Sequence, residues 1–215
     1  MPKIYSSIEK TNIRNSLLQY AEYALKTKGV KATSIDDIIA EVGIAKGSFY
    51  LFYSSKEELF FSSMVNFRRE MDFKLNELLL NLDENHIVKS VSTIFTTLIF
   101  ELYDRGMYRF YDKQEYTLIT RKIDPVLVEN EKKEMLNLFK SLLKTFYIEK
   151  GVEPFYEAFV LLIYSLQNAD KIPNLKESLR LIINGLVYNL IDAWFKFFNY
   201  SFYNSLVFYF SYCNF

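Results

Sequence analysis

The stretch Val-Gly-Ile-Ala-Lys-Gly-Ser-Phe-Tyr-Leu-Phe-Tyr-Ser-Ser-Lys-Glu-Glu-Leu, residues 42–59, contains a tight turn, a short helix, a break and the start of another helix. Just upstream, Ser34 precedes apolar residues spaced three and four apart, which indicates one buried face of a short helix. Gly43 follows the last of these residues, where glycine commonly ends a helix in the left-handed conformation. A second short helix can then begin at Lys46. This arrangement is typical of a helix-turn-helix, whose second helix enters the DNA major groove.

Further helix signals lie on both sides of this motif. Ser6 stands three residues before a glutamate, the spacing of a capping box, and an apolar stripe then continues to Gly29. Ser55 is followed by acidic residues and is predicted to begin a long helix that ends near Leu82. We therefore expect a three-helix head in which the helix-turn-helix spans about residues 34–53.

The chain resembles the N-terminal domain of TetR-type transcriptional regulators in four consecutive runs, namely residues 24–29, 32–38, 43–50 and 55–59. The resemblance covers about residues 8–60. It implies an all-α protein with a helix-turn-helix DNA-binding domain over residues 1–59. Residues 60–215 would then form an antiparallel helical bundle for effector binding and dimerisation.

The resemblance also implies which residues contact a double-stranded DNA operator. In this family the Lys-Gly-Ser/Thr-x-Tyr run is the recognition helix, so Lys46, Ser48 and Tyr50 are expected to be exposed and to face the DNA. Lys56 would contact a further phosphate from the start of the next helix. The full set is Thr33, Ser34, Ala45, Lys46, Gly47, Ser48, Tyr50 and Lys56. Backbone contacts of this kind position a protein on DNA and carry little sequence information.

Three positions depart from the pattern of the family. Ala45 stands where many members have a serine, so a helix cap and a polar contact are lost. Leu51 and Phe52 cannot donate a hydrogen bond to a phosphate. We therefore expect fewer polar contacts with the DNA backbone than usual, and we expect Tyr53 to turn inward.

Charge and composition argue for DNA binding and against catalysis. The chain has equal numbers of basic and acidic residues, but residues 1–31 contain six basic and two acidic side chains, an excess that phosphate binding could use. The chain has one histidine, His86, and one cysteine, Cys213, which form no recognisable metal or nucleophile motif. We therefore predict a protein that is not an enzyme and has no cofactor and no metal site.

The remaining sequence shows helical periodicity and no alternating strand pattern, which predicts an all-α bundle. The last two helices are expected over about 154–169 and 174–198. In TetR-type proteins the corresponding helices form the homodimer interface, and the residues that could supply it here are Phe159, Leu162, Ile163, Leu166, Ile183, Leu186, Leu190 and Trp194. The alternative is that these side chains fill the core of the protomer.

Aromatic residues are concentrated in the segments that would enclose an effector cavity. The candidates are Phe95, Tyr103, Phe110, Tyr111 and Tyr116, although aromatic residues also fill ordinary cores. If they line a pocket, the small-molecule effector is apolar or aromatic. Its binding would shift the two DNA-reading heads and release the operator.

The C-terminal tail has an unusual composition, because residues 197–215 contain no charged side chain and many aromatic ones. Asparagine and serine residues interrupt the segment and no basic cluster follows it, so no stable membrane span is expected. We expect residues 200–215 to pack on the bundle or on its mate. The N-terminus has no signal peptide, which predicts a cytoplasmic protein. The alternative function is a helical interaction or membrane-peripheral protein that acts through this aromatic tail.

Overall fold

The computed structural model describes residues 5–145 and 151–192, except for the side chain of Glu84. All regular elements in these residues are helical, as the sequence predicts. The helices are α1 (Ser7–Thr27), α2 (Gly29–Ala32), α3 (Ile35–Val42), α4 (Lys46–Phe49), α5 (Lys56–Leu80), α6 (Ile87–Asp104), α7 (Lys113–Thr120), α8 (Pro125–Thr145), α9 (Val152–Ser165) and α10 (175–192). Short 3-10 segments cover Glu84–His86, Met107–Tyr111 and Leu166–Lys171.

Local capping interactions define the helices of the N-terminal head. Ser6 caps α1 and Ser34 caps α3, and each forms a capping box, with Glu9 and Asp37 as the reciprocal partners. Gly43 ends α3 at a φ of 72°, in the left-handed region that glycine enters without a steric penalty. The predicted starts of α1 and α3 and the predicted turn are therefore confirmed.

The core of the head joins α1, α3, α4 and the first turn of α5. Leu17, Ile38, Phe49 and Leu59 are completely buried there. Burying a large apolar side chain stabilises a protein by about 1.5–3 kcal/mol, so these contacts determine how α4 is held against α1 and α3. Tyr53 is also buried beside Phe49, which confirms that it turns inward.

Helix α5 connects the head to the rest of the protein without a linker. Ser55 caps it, as predicted, and the helix then continues without interruption to Leu80. The expected domain boundary after residue 59 therefore lies inside a helix. The division into residues 1–59 and 60–215 stays a prediction.

The body, α6–α10, is organised around a cluster of phenylalanines. The ring of Phe95 lies with its centroid 5.3 Å from that of Phe139, 5.0 Å from Phe155 and 5.2 Å from Phe159. Such tilted and edge-on ring pairs add about 0.5–1.5 kcal/mol each to the effect of burial. These rings therefore form the apolar core of the body.

Two elements differ from the expected boundaries. The helix expected to reach residue 169 ends at Ser165, and a 3-10 segment with a kink at Asn168 follows. The short helix α2 has no counterpart in the prediction. It forms after the positive φ of Gly29, and the Thr33 hydroxyl closes it by donating to the Gly29 carbonyl at 2.7 Å.

Candidate DNA-binding site and effector cavity

Helix α4 presents two side chains and one glycine to solvent. The Tyr50 side chain at its C-terminal end is 51% exposed, and the Lys46 side chain is 55% exposed. A Cβ atom added to Gly47 would meet no other atom within 4 Å, so the backbone is open to close approach from outside. These three residues lie at the surface, as the recognition-helix pattern predicts.

Ser48 differs from the sequence-based expectation, which was that its side chain is exposed. The residue is only 8% exposed, and its hydroxyl accepts a hydrogen bond from the Tyr5 hydroxyl at 2.9 Å. Ser48 lies on the inner side of α4, next to the buried Phe49. The expected exposure was wrong because the partner is 43 residues away in the sequence, beyond the reach of a local pattern.

Thr33 and Ser34 have structural roles in the connection before α3. Thr33 is 1% exposed and its hydroxyl is bonded to the Gly29 carbonyl, so the hydroxyl expected on the DNA backbone is buried. The Ser34 hydroxyl accepts from the Asp37 amide at 3.0 Å as the cap of α3. Only Ser34 remains at the surface.

Lys56 also makes contacts within the protein. Its ammonium group donates to the Val30 carbonyl at 2.8 Å and to the Thr33 carbonyl at 2.5 Å. Burial lowers the pKa of this lysine. The side chain therefore connects the start of α5 to the C-terminal end of α2, a role that the sequence did not predict.

Ala45 precedes α4 with an extended backbone and provides no side-chain cap. This agrees with the prediction from the alanine that stands where many family members have a serine. The side chain is exposed next to Lys46. Leu51, which follows Tyr50, is 66% exposed. The outer face of α4 is therefore formed by Ala45, Lys46, Gly47, Tyr50 and Leu51.

The basic side chains near this face are paired with acidic residues of α3. Lys46 lies 2.9 Å from Asp36, and Lys28 lies 3.1 Å from Asp37. The hydrogen bond with Asp36 raises the pKa of Lys46. Hydrogen bonds from Ser34 and then Lys28 lower the pKa of Asp37 from 3.8 to about 2. Exposed pairs of this kind are weak and are screened by salt, so a DNA phosphate can compete for both lysines.

A cavity of about 780 Å³ lies in the body. Phe110, Tyr111 and Tyr116 line it, together with apolar residues of α5, α8 and α9. Phe95 and Tyr103 do not line it. Phe95 belongs to the phenylalanine core, and Tyr103 stacks on Tyr108 with ring centroids 5.7 Å apart. Periodicity alone could not separate the cavity wall from the core, because both consist of aromatic residues.

The arginine that lines the cavity is held by two carboxylates. The guanidinium of Arg68 is 2.7 Å from the Asp72 carboxylate and 2.7 Å from the Glu131 carboxylate. Burial raises the pKa of the Tyr111 hydroxyl, which keeps this group neutral. A ligand in the cavity therefore meets aromatic and aliphatic walls, the ion-paired Arg68 and the further charged side chains of Lys113, Glu129, Lys132 and Lys133.

The residues expected at a dimer interface divide into two groups. Most of them pack into the core of the protomer, namely Phe159, Leu162, Ile163, Leu166, Ile183 and Leu190. Leu186 is half-buried, and Trp194 lies outside the described residues. The apolar side chains that α9 and α10 expose are Leu161, Tyr164, Leu181, Ile182 and Tyr188. The buried group therefore fits the alternative that these side chains fill the core of the protomer, and the exposed group lies on other faces of the same helices.

The all-α fold and the outer face of α4 define a helix-turn-helix DNA-binding protein with a helical body. Residues 17–62 match the bacterial regulatory proteins of the tetR family. The chain is similar to the biofilm operon icaADBC HTH-type negative transcriptional regulator IcaR of Staphylococcus epidermidis, with 24% identity over 184 residues, covering 73% of this chain and 97% of IcaR. It is also 31% identical over 101 residues to the HTH-type transcriptional regulator YfiR of Bacillus subtilis, covering 47% of this chain and 45% of YfiR.

Solved structures show the same fold. A TetR-family regulator from Mesorhizobium loti superposes with a TM-score of 0.66 at 16% identity, covering 85% of this chain and 96% of its own. The fatty acid degradation regulator FadR from Bacillus halodurans gives a TM-score of 0.58 at 18% identity, and the match covers 86% of this chain and 96% of the FadR chain. The N-terminal head of this chain therefore belongs to the tetR family of bacterial regulatory proteins, and the helical body has the fold of solved TetR-family regulators.

None of the helices in the described part of the chain combines the length and the apolar character that a bilayer crossing requires. The aromatic tail, residues 200–215, lies outside the described residues.

Proposed function

We propose that this protein is a homodimeric repressor that binds an operator in cytoplasmic DNA and is released from it by an apolar or aromatic ligand. The observation that carries the proposal is the cavity of about 780 Å³ in a body that is joined to the DNA-reading head through the unbroken helix α5. Repression is supported by the similarity to IcaR, which is named a negative transcriptional regulator.

Operator binding would use the outer face of α4. Lys46 and Tyr50 supply a charged and a hydroxyl donor, and Gly47 lets the backbone approach a phosphate. Ala45 and Leu51 would add apolar contacts, which in the major groove favour thymine methyl groups. Ser48 and Thr33 would support this face from inside, since their hydroxyls are used within the protein.

Dimerisation would bury the exposed apolar side chains of α9 and α10. Helix α9 exposes Leu161 and Tyr164, and α10 exposes Leu181 and Tyr188. Monomeric proteins seldom leave several large apolar side chains exposed in this way. Gly185 has no atom within 4 Å of its missing Cβ, so a second copy could approach α10 closely. A dimer also places two heads on successive half-sites of an operator.

DNA binding is tested with duplexes that the protein itself selects from a random pool, by fluorescence anisotropy at several salt concentrations. The native protein should bind with an affinity that falls steeply with salt. Tyr50→Phe should weaken binding several-fold, because one phosphate donor is lost. Tyr23→Phe is the matched control, since Tyr23 is 60% exposed but lies on α1. Equal affinities for the native protein and both variants would reject the proposed face.

Dimerisation is tested by sedimentation. Leu181, which is 75% exposed, is replaced by glutamate, and Ile8→Glu on α1 serves as the control because Ile8 is 73% exposed. In a dimer of L181E, each protomer would bury one unpaired carboxylate in the interface. The variant should therefore be monomeric at micromolar concentration. The same sedimentation coefficient for native protein and L181E would argue against this interface.

A further inference from the structure

We propose that the segment of residues 104–115 transmits occupancy of the cavity to the DNA-binding head, and that Glu115 is its main positioning residue. We call this segment the clasp. The inference rests on the proposed function and specifies how its ligand response is coupled to the operator.

The clasp holds the C-terminal part of α1 and the start of α2 through several hydrogen bonds, including two from the Arg105 guanidinium to the Glu22 carboxylate at 3.0 and 2.6 Å. The Glu115 carboxylate accepts from the Val30 amide at 2.9 Å, and the Arg109 guanidinium donates to the Lys26 carbonyl at 3.0 Å. The Lys26 ammonium in turn donates to the Asp104 carbonyl at 2.6 Å. Backbone groups of the head are thus held directly by the body.

Two glycines bring the chain segments into close contact at this place. A Cβ atom on Gly29 would lie 2.1 Å from the Glu115 Oε1 atom, and one on Gly106 would lie 2.6 Å from the Lys26 Cβ. Both glycines have a positive φ, so other residues are disfavoured there for a second reason. With no space between the segments, a shift of the clasp is passed to the head and is not absorbed by loose packing.

The opposite side of the same segment forms a wall of the cavity. Met107, Phe110 and Tyr111 line the cavity between the clasp residues Asp104 and Glu115 in the chain. Tyr116 follows Glu115 on α7 and also lines the cavity. The short helix α7 therefore contacts the cavity through Tyr116 and the head through Glu115.

The Tyr116 hydroxyl gives a second indication that this wall changes on ligand binding. It is buried and has no hydrogen-bond partner among the described residues. The Lys132 ammonium lies over its ring at 5.7 Å from the centroid. A ligand that offers a hydrogen-bonding group, or that presses on the ring, would move α7 and with it the carboxylate that holds Val30.

The coupling is measured with N-phenyl-1-naphthylamine, a neutral aromatic fluorophore, as the probe. Operator affinity is determined with and without saturating dye, using the selected duplex. Couplings between sites typically change affinity 5- to 150-fold. We expect the dye to weaken operator binding by native protein at least fivefold. In Glu115→Ala the weakening should fall below twofold while the dye affinity stays within twofold of native.

Two variants serve as controls for the role of the carboxylate. Glu115→Gln keeps an oxygen acceptor for the Val30 amide and should keep the native response. Gln114→Ala changes the neighbouring residue of α7, whose side chain is exposed and does not line the cavity, and should also respond like native protein. If Glu115→Ala fails to fold, Arg109→Gln removes a different hydrogen bond of the clasp and is measured instead.

A cavity-filling change gives a readout that needs no ligand. Val160 lines the cavity on α9, so Val160→Trp should exclude the dye and weaken operator binding by itself. Adding Glu115→Ala should restore most of the affinity. If operator binding responds to dye or to V160W equally with and without Glu115, the clasp is wrong and the proposed function stands. If the dye does not alter operator binding by native protein and the V160W variant binds the operator as tightly as native protein, the ligand-release proposal fails and the clasp fails with it.

Discussion

Replacing Lys56 with methionine should destabilise the DNA-binding head, because its ammonium group connects the start of α5 to two backbone carbonyls at the C-terminal end of α2. The Val30 and Thr33 oxygens lie 2.8 and 2.5 Å from the nitrogen. Methionine keeps the length of the aliphatic stem but removes all three donors. The substitution therefore isolates the hydrogen bonds from the packing of the stem.

The expected loss follows from the number and the environment of these bonds. A hydrogen bond that involves a charged group contributes about 1.5–3 kcal/mol. Lys56 is only partly buried, so water replaces part of what the two carbonyls lose, and burial already disfavours the charged ammonium. We estimate a loss of about 2 kcal/mol in the free energy of unfolding. For a chain of this size the melting temperature should fall by about 4–8 °C.

The assay is thermal and urea unfolding followed by circular dichroism, with Lys46→Met as the matched control. Lys46 makes one exposed ion pair, with Asp36, so its loss should leave the melting temperature nearly unchanged. Operator binding should show the opposite order, with Lys46→Met reducing the salt slope by about one unit. A native melting temperature for Lys56→Met, combined with a reduced salt slope, would refute the structural role and restore Lys56 as a phosphate contact.

Two further predictions concern the core and the cap of α3. Phe95→Ala should lower the free energy of unfolding in urea by about 3–5 kcal/mol, because Phe95 fills the phenylalanine core; a loss below about 1 kcal/mol would place it elsewhere. The pKa of Asp37 is depressed to about 2, so its contribution to stability is present above 3.8 and is lost as the pH falls toward about 2. Asp37→Asn should therefore melt lower than native protein near neutral pH, and the difference should shrink in acid; a difference independent of pH would contradict this.

The helices and the turn of the head could be predicted from the sequence because their signals are local. Ser6, Ser34 and Ser55 each bond to an amide three residues ahead, within one helical turn. Gly43 takes up its positive φ through its own lack of a side chain. Such interactions depend on neighbours in the chain, so the residue types are sufficient to place them.

The partners of several site residues depended on tertiary packing. Ser48 was assigned to the DNA face, but the position of Tyr5 beside α4 turns its hydroxyl into a buried acceptor. Glu57 looked like an ordinary first-turn acid, yet Arg121 and Lys122 reach it across more than sixty residues. Burial by itself would raise the pKa of Glu57, but these hydrogen bonds hold it below its ordinary value.

By itself, the sequence determined that this protein is all-α with a helix-turn-helix head, since periodicity, caps and the glycine turn act within a few residues. Only the tertiary structure decided which face of each apolar helix is buried and which aromatic residues line the cavity. Leu181 and Ile183 on α10 are both apolar, and their opposite exposures follow from which side of the helix meets the core. The contact between Glu115 and Val30 likewise exists only because α7 packs against α2, and the two residues are 85 positions apart.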